Sequence, residues 1–149
     1  MIFGYLIEHW DRVLRLTLDH LLLSLTAVGV ALLISLPIGI AAARHERVRL
    51  PTLGFLGAVY TMPSLAFLAL LIPAFGLGKL PATVALASYA LLFLVRNISV
   101  GLQTVDRPAL EAGQAMGMTG WQLFRDVQVP LARPVVIAGS RLTLVTTIS

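Results

Sequence analysis

The sequence predicts an all-α fold, a polytopic transmembrane helical bundle. Three observations predict it. Of 149 residues, 58% are hydrophobic and only 12% charged, against about 25% charged in soluble domains. The mean hydropathy is +0.90, so there is too little polar sequence to cover a water-facing globule, and lipid must be the main solvent. The basic residues sit between the apolar runs, as the positive-inside rule requires. The net charge of +4 therefore does not point to nucleic acid. No basic stripe or aromatic RNA-binding motif accompanies it.

Residues 1–20 read as an amphipathic helix. Leu6, Trp10, Val13, Leu14 and Leu18 recur at three- and four-residue steps with charges between them. Such a helix is expected to lie in the membrane interface, with Trp10 at headgroup depth. Glu8, Asp11, Arg12, Arg15 and Asp19 argue against a cleavable signal peptide. Residues 21–149 form the transmembrane domain. A first span covers about 21–43, where Ala27, Ala31, Ser35, Gly39 and Ala43 make a stripe of small residues. Along such a stripe another helix backbone can approach closely. Pro37 is expected to kink it.

A basic loop, Arg44 to Arg49, precedes a second span over about 53–75. The glycine-rich turn from Gly76 to Pro81 leads to a third span over about 82–102. A polar segment occupies 103–133, and a fourth span opens at Pro134 and runs to Ser149. Sixteen residues rise about 24 Å, short of a hydrocarbon core of about 30 Å. The fourth span therefore reads as truncated. Arginines concentrate in the 44–49 loop and in 103–133, which places those segments in the cytoplasm and the N-terminus outside.

The polar segment is the most structured part of the sequence outside the spans. Pro108 suits a first helical turn, where its missing N–H costs nothing, and Asp106 before it complements the positive helix end. Gly117 can take the left-handed turn that ends this helix. Thr119-Gly120-Trp121-Gln122 matches a capping box, so a second helix is expected from Gly120 to about Val127. Pro130 and Pro134 are expected to keep it from merging with the fourth span. Ala112, Gly113 and Ala115 leave one side of the first helix nearly bare. Two uses are open on spacing alone: a hairpin covering the end of its own bundle, or a docking surface for a soluble partner.

Other positions carry similar alternatives. Pro63 falls near the middle of the second span, with Thr61 and Ser64 beside it. This is either a kink repaired by hydroxyls or a broken helix whose Thr61, Pro63 and Ser64 face a transport pathway. Arg96 and Arg141 are either anchors that snorkel to the interface or functional intramembrane charges. His9, His20 and His45 have no metal-ligand spacing, and cysteine is absent. No phosphate-loop or nucleophile motif occurs, so no cofactor and no enzymatic activity are expected.

Glu111-Ala112-Gly113-x-x-x-Gly117, then Val127-x-Val129-Pro130, resembles the EAA loop of binding-protein-dependent ABC importer permeases. The sequence departs from that pattern at Gly113, where the family has alanine, and at Val127 and Val129. The resemblance extends to Thr61–Ala66, Ile72–Pro81 and Leu94–Asn97, which are similar to the osmoprotectant branch importing glycine betaine, carnitine or choline. It implies a type I importer permease (MetI-like) core in a bacterial plasma membrane. It also implies that Glu111, Ala112, Gly113 and Gly117 dock a separate cytosolic ATPase. Trp121 adds apolar contact to that surface. An extracytoplasmic solute-binding protein and a second permease subunit, identical or paralogous, are the other implied partners. A permease for another small solute, such as an amino acid or a sulfonate, and a non-transport scaffold or channel are the alternatives.

Overall fold

Helix α1 (Trp10–Arg44) opens the part of the chain, residues 9–149, that the computed structural model describes. After it come α2 (Glu46–Thr61), α3 (Ser64–Phe75) and α4 (Lys79–Gln103). The chain closes with α5 (Arg107–Ala115), a single turn α6 (Gly120–Gln122), a π-helical segment (Leu123–Gln128) and α7 (Val129–Ile148). The described residues contain no strand.

The small-residue stripe is buried as the spacing predicts. Ser24, Ala27, Ala31, Ser35, Gly39 and Ala42 are the buried residues of α1. Ala42 replaces the expected Ala43 because a helix drifts from a strict four-residue repeat. The stripe faces α4, where Ala27 and Ala31 meet Ala87, Ala90 and Leu94. Small residues on both helices bring the backbones together, and dispersion contacts replace the hydrophobic drive that lipid removes. Helix α4 is the hub: α1, α2, α3 and α7 all pack on it. Its buried face includes Leu94, Val95, Ile98, Gly101 and Leu102.

Four boundaries differ from the sequence reading. Residues 1–8 of the expected interfacial helix lie outside the described residues, and residues 10–20 form the start of α1 without a break. No glycine or proline occurs between Trp10 and Val28 to end a helix there. The 35 residues of α1 rise about 52 Å, more than a hydrocarbon core of about 30 Å, so the charged first turns project past it. The salt bridge from Lys79 Nζ to Asp19 Oδ1, 2.7 Å, ties this end of α1 to the start of α4.

The basic loop shrinks to one extended residue, His45 (φ −130°, ψ 111°), because Glu46 to Arg49 already form the first turn of α2. Glu46 there complements the positive helix end. The second span is broken. α2 and α3 meet at Met62–Pro63 with a bend of 100°. Met62 takes ψ 134°, the extended conformation a residue before proline prefers.

The last helix does not stop at the prolines. Backbone helicity is continuous from Gly120 to Ile148. The π segment Leu123–Gln128 ends just before Pro130. A π turn shifts the ladder, with Val129 N–H on Phe124 O, and Pro130 falls where the register changes and the chain can take up its missing N–H. Among the described residues, three helices, or four spans if α2 and α3 make one broken span, are long and apolar enough to cross a membrane.

Candidate functional site

Two features stand apart from the packing scaffold: the polar hairpin at one end of the bundle and the helix break near its middle.

Each joint of the hairpin has an identifiable cause. Helix α5 carries proline in its first turn after Asp106. It ends in a Schellman motif, in which Met118 N–H donates to Gly113 O (3.1 Å) and Gly117 N–H to Gln114 O (2.9 Å). Gly117 has φ +79°, a conformation that costs a residue with a Cβ about 1 kcal/mol or more. The capping box follows at once. Thr119 N–H donates to Gln122 Oε1 at 2.8 Å, and Gln122 N–H donates to Thr119 Oγ1 at 3.4 Å. The two caps satisfy the orphan groups on both sides of the turn, so the turn is fixed by local hydrogen bonds.

The hairpin has an inner and an outer face. On the inner face Leu110, Phe124 and Val129 pack against Ile98, Leu102, Val105 and Ala132. The Arg44 guanidinium lies over the Phe124 ring, 4.7 Å from its centroid. Arg49 donates to the side chain of Gln103. Together these contacts put the 44–49 arginines and the hairpin at the same end of the bundle. Gly113 also turns inward. It is buried, and a Cβ there would come within 2.5 Å of Leu123 Cδ1 and 3.3 Å of Met118 Sδ. Its bare side admits the π segment of the same hairpin, so it is a packing joint and is not presented outward. Glu111, Ala112, Gly117 and Trp121 are exposed. Met116 and Trp121 are 70% and 65% exposed, large apolar side chains on a segment set off from the apolar spans.

At the break, the sequence left the repair of freed backbone groups to Thr61 and Ser64. The structure divides it between Thr61 and a residue of α4. Thr61 Oγ1 donates to Ala58 O (2.7 Å) within its own helix. The Met62 carbonyl accepts a hydrogen bond from the Tyr89 hydroxyl of α4, 2.8 Å. Tyr89 belongs to an aromatic group. The Tyr60 ring stands edge-on to Tyr89 (centroids 5.7 Å, 79°) and to Phe93 (5.1 Å, 90°). Beside them lies a cavity of about 310 Å³ whose lining includes Tyr60, Ser64, Tyr89, Phe93, Thr146 and Thr147. Of the three residues expected on a pathway, Ser64 lines this cavity, while Thr61 and Pro63 are exposed at the bend and shape it. The sequence reasoning passed over Tyr60, Tyr89 and Phe93. The available signal was the four-residue step from Tyr89 to Phe93, which puts both rings on one face of α4.

Arg96 and Arg141 are exposed, and neither forms a salt bridge with a described residue.

The chain is 41% identical over 137 residues to the glycine betaine/carnitine/choline transport system permease protein OpuCB of Bacillus subtilis, covering 92% of this chain and 63% of that protein. It is 41% identical over 138 residues to the carnitine transport permease protein OpuCB of Listeria monocytogenes, covering 93% and 63%. The osmoprotectant import permease protein OsmW of Salmonella typhimurium is 38% identical over 146 residues, covering 95% and 68%. The chain thus spans under two thirds of the length of the first two relatives. Among solved structures, a chain of the MetNI methionine ABC transporter in inward-facing conformations superposes with a TM-score of 0.73 at 22% identity, over 87% of this chain and 67% of that one. That likeness establishes the fold, the polytopic helical bundle of this type of permease. Residues 35–149 match the family described as binding-protein-dependent transport system inner membrane component, and the chain belongs to that family of multi-pass membrane proteins.

Proposed function

We propose that this chain is the transmembrane permease subunit of an ATP-driven importer for small osmoprotectants, of the kind named for its relatives: glycine betaine, carnitine or choline. The observation that carries the proposal is the two-faced hairpin. Its inner face is packed on the ends of α1, α4 and α7. Its outer face carries Glu111, Ala112, Gly117 and Trp121, all exposed. A soluble ATPase subunit would seat that face, with Trp121 and Met116 as apolar anchors and Glu111 as a polar one. Gly113 holds the hairpin together from within.

In this reading the arginine-rich end faces the cytoplasm, and the end holding Asp19 and Lys79, with the N-terminus, faces outside. Closure of an ATPase dimer would move the hairpin as a rigid body. Because the hairpin continues through the π segment into α7 without a break, the motion reaches the bundle directly and opens it to alternate sides. A second permease subunit and an external solute-binding protein complete the importer. Ser64, with Thr61 and Pro63 at the bend, marks the pathway.

The test is Gly117→Trp in the full-length subunit. A Cβ there meets no atom within 4 Å, so the side chain starts outward toward the docking surface, at about 1 kcal/mol or more of left-handed backbone strain. Co-purification of the ATPase subunit and solute uptake should both be lost while the permease still accumulates in the membrane. Intact assembly and uptake would refute the docking role.

A further inference from the structure

The cavity at the helix break has a chemistry of its own. Three aromatic rings line it, and no acidic or basic side chain does. Three of its five hydroxyls are already committed as donors, and those of Tyr60 and Ser64 are not. Tyr89 donates to Met62 O, Thr146 to Leu142 O at 3.0 Å, and Thr147 to Thr143 O at 2.7 Å. A carbonyl can only accept, so each of these oxygens has its proton turned away and only lone pairs left for an occupant. Ring faces and oxygen lone pairs are both electron-rich. Such a lining suits a cation, but not a strongly hydrated one, because no carboxylate is present to offset its desolvation. It suits a cation with diffuse charge and an apolar shell, held by cation–π attraction.

Position and size agree. Tyr89 lies ten residues into α4 from Lys79, about 15 Å along the helix and so near the middle of a hydrocarbon core of about 30 Å. The 100° break between α2 and α3 opens the space by turning the backbone aside, and the Tyr89 hydroxyl pins the break to α4. The volume of about 310 Å³ matches the small end of ligand pockets, about 300 Å³.

We infer that the cavity formed by Tyr60, Tyr89, Phe93, Ser64, Thr146 and Thr147 is a binding station for a quaternary ammonium group, occupied as the solute crosses the subunit. This rests on the proposed transport function and adds to it a place within the permease that reads the trimethylammonium end. Tyr60 is the central ring. The station holds its ligand weakly, because without a carboxylate the cation must be released as readily as it is taken.

The test uses the full-length permease–ATPase complex in proteoliposomes with its binding protein, and radiolabelled choline as probe. Tyr60→Leu and Phe93→Leu should each lower choline uptake by about tenfold with complex assembly and ATP hydrolysis retained, while Tyr60→Phe stays near wild type. Saturation-transfer NMR on the purified complex without binding protein separates recognition from packing. Choline N-methyl signals should be saturated in the wild type, and the uncharged carbon isostere 3,3-dimethylbutanol should compete at least about tenfold less well than unlabelled choline. In Tyr60→Leu the two should compete equally. Normal choline uptake by both leucine variants, or equal competition by the isostere in the wild type, overturns the station while leaving the transport reading intact. Failure of the wild-type complex to take up any quaternary ammonium solute overturns both.

Discussion

Gly39→Ala should weaken the bundle at the close contact of α1 with α4. A Cβ built at Gly39 lies 2.7 Å from both Cβ and Cγ2 of Ile98 and 3.4 Å from Val95 O. Carbon atoms pack at about 3.5–4.0 Å, so the overlap approaches 1 Å. Rotation of the Ile98 side chain does not relieve it, because one of the obstructing atoms is the Cβ itself. The helices α1 and α4 must separate, and separation loosens the row of Ala27 and Ala31 on Ala87, Ala90 and Leu94. Overpacking of this sort costs about 1–3 kcal/mol. Replacing a mid-helix glycine by alanine returns about 0.5–1 kcal/mol. The two ranges together leave a net loss of up to about 2.5 kcal/mol, about 1 kcal/mol at their midpoints. Gly29 supplies the control on the same helix: a Cβ there meets nothing within 4 Å, so Gly29→Ala retains only the propensity gain and should be neutral or stabilising. The assay is reversible unfolding of the full-length subunit in mixed micelles by SDS titration. Equal stability of Gly39→Ala and wild type, or equal damage from Gly29→Ala, would refute the close-approach argument.

Two further substitutions probe the joints. Tyr89→Phe leaves the Met62 carbonyl without its donor, at a cost of about 1–3 kcal/mol for an unsatisfied buried group; the same SDS titration reads it, and an unchanged midpoint would mean the break is held by other forces. Thr119→Ala removes the side-chain acceptor of the capping box and should cost about 1 kcal/mol, seen as faster amide hydrogen exchange confined to residues 117–123, whereas unaltered protection there would mean that the cap is not what holds the turn.

The parts legible in the sequence were those fixed by local chemistry. Four-residue spacing of small side chains was enough to find the buried stripe of α1, because burial in lipid selects for size and the helix fixes the period. Gly117 and Thr119–Gln122 were readable because caps depend on residues three or four apart. The parts that were not legible depend on distant partners or on ladder geometry. The 100° break at Met62–Pro63 is held by Tyr89, 27 residues away, and nothing near Pro63 announces that. The continuity from Gly120 into α7 was missed because proline was counted as a breaker, whereas the π turn before Pro130 shifts the ladder and lets the helix run on. Gly113 was counted among the docking residues only because the family resemblance implied it. The side that a bare helix surface turns inward is decided by Leu123 and Met118, which composition does not reveal.

Site-specific photocrosslinking in intact membranes tests most directly whether the outer face of the hairpin seats an ATPase subunit. A photoreactive side chain at Ala112 or Trp121, both exposed on that face, should capture the ATPase. The same group at Leu77, 86% exposed in the turn before Lys79 at the opposite end, should not. Capture from Leu77 but not from Ala112 or Trp121, or from none of the three in a complex that still transports, would contradict the account.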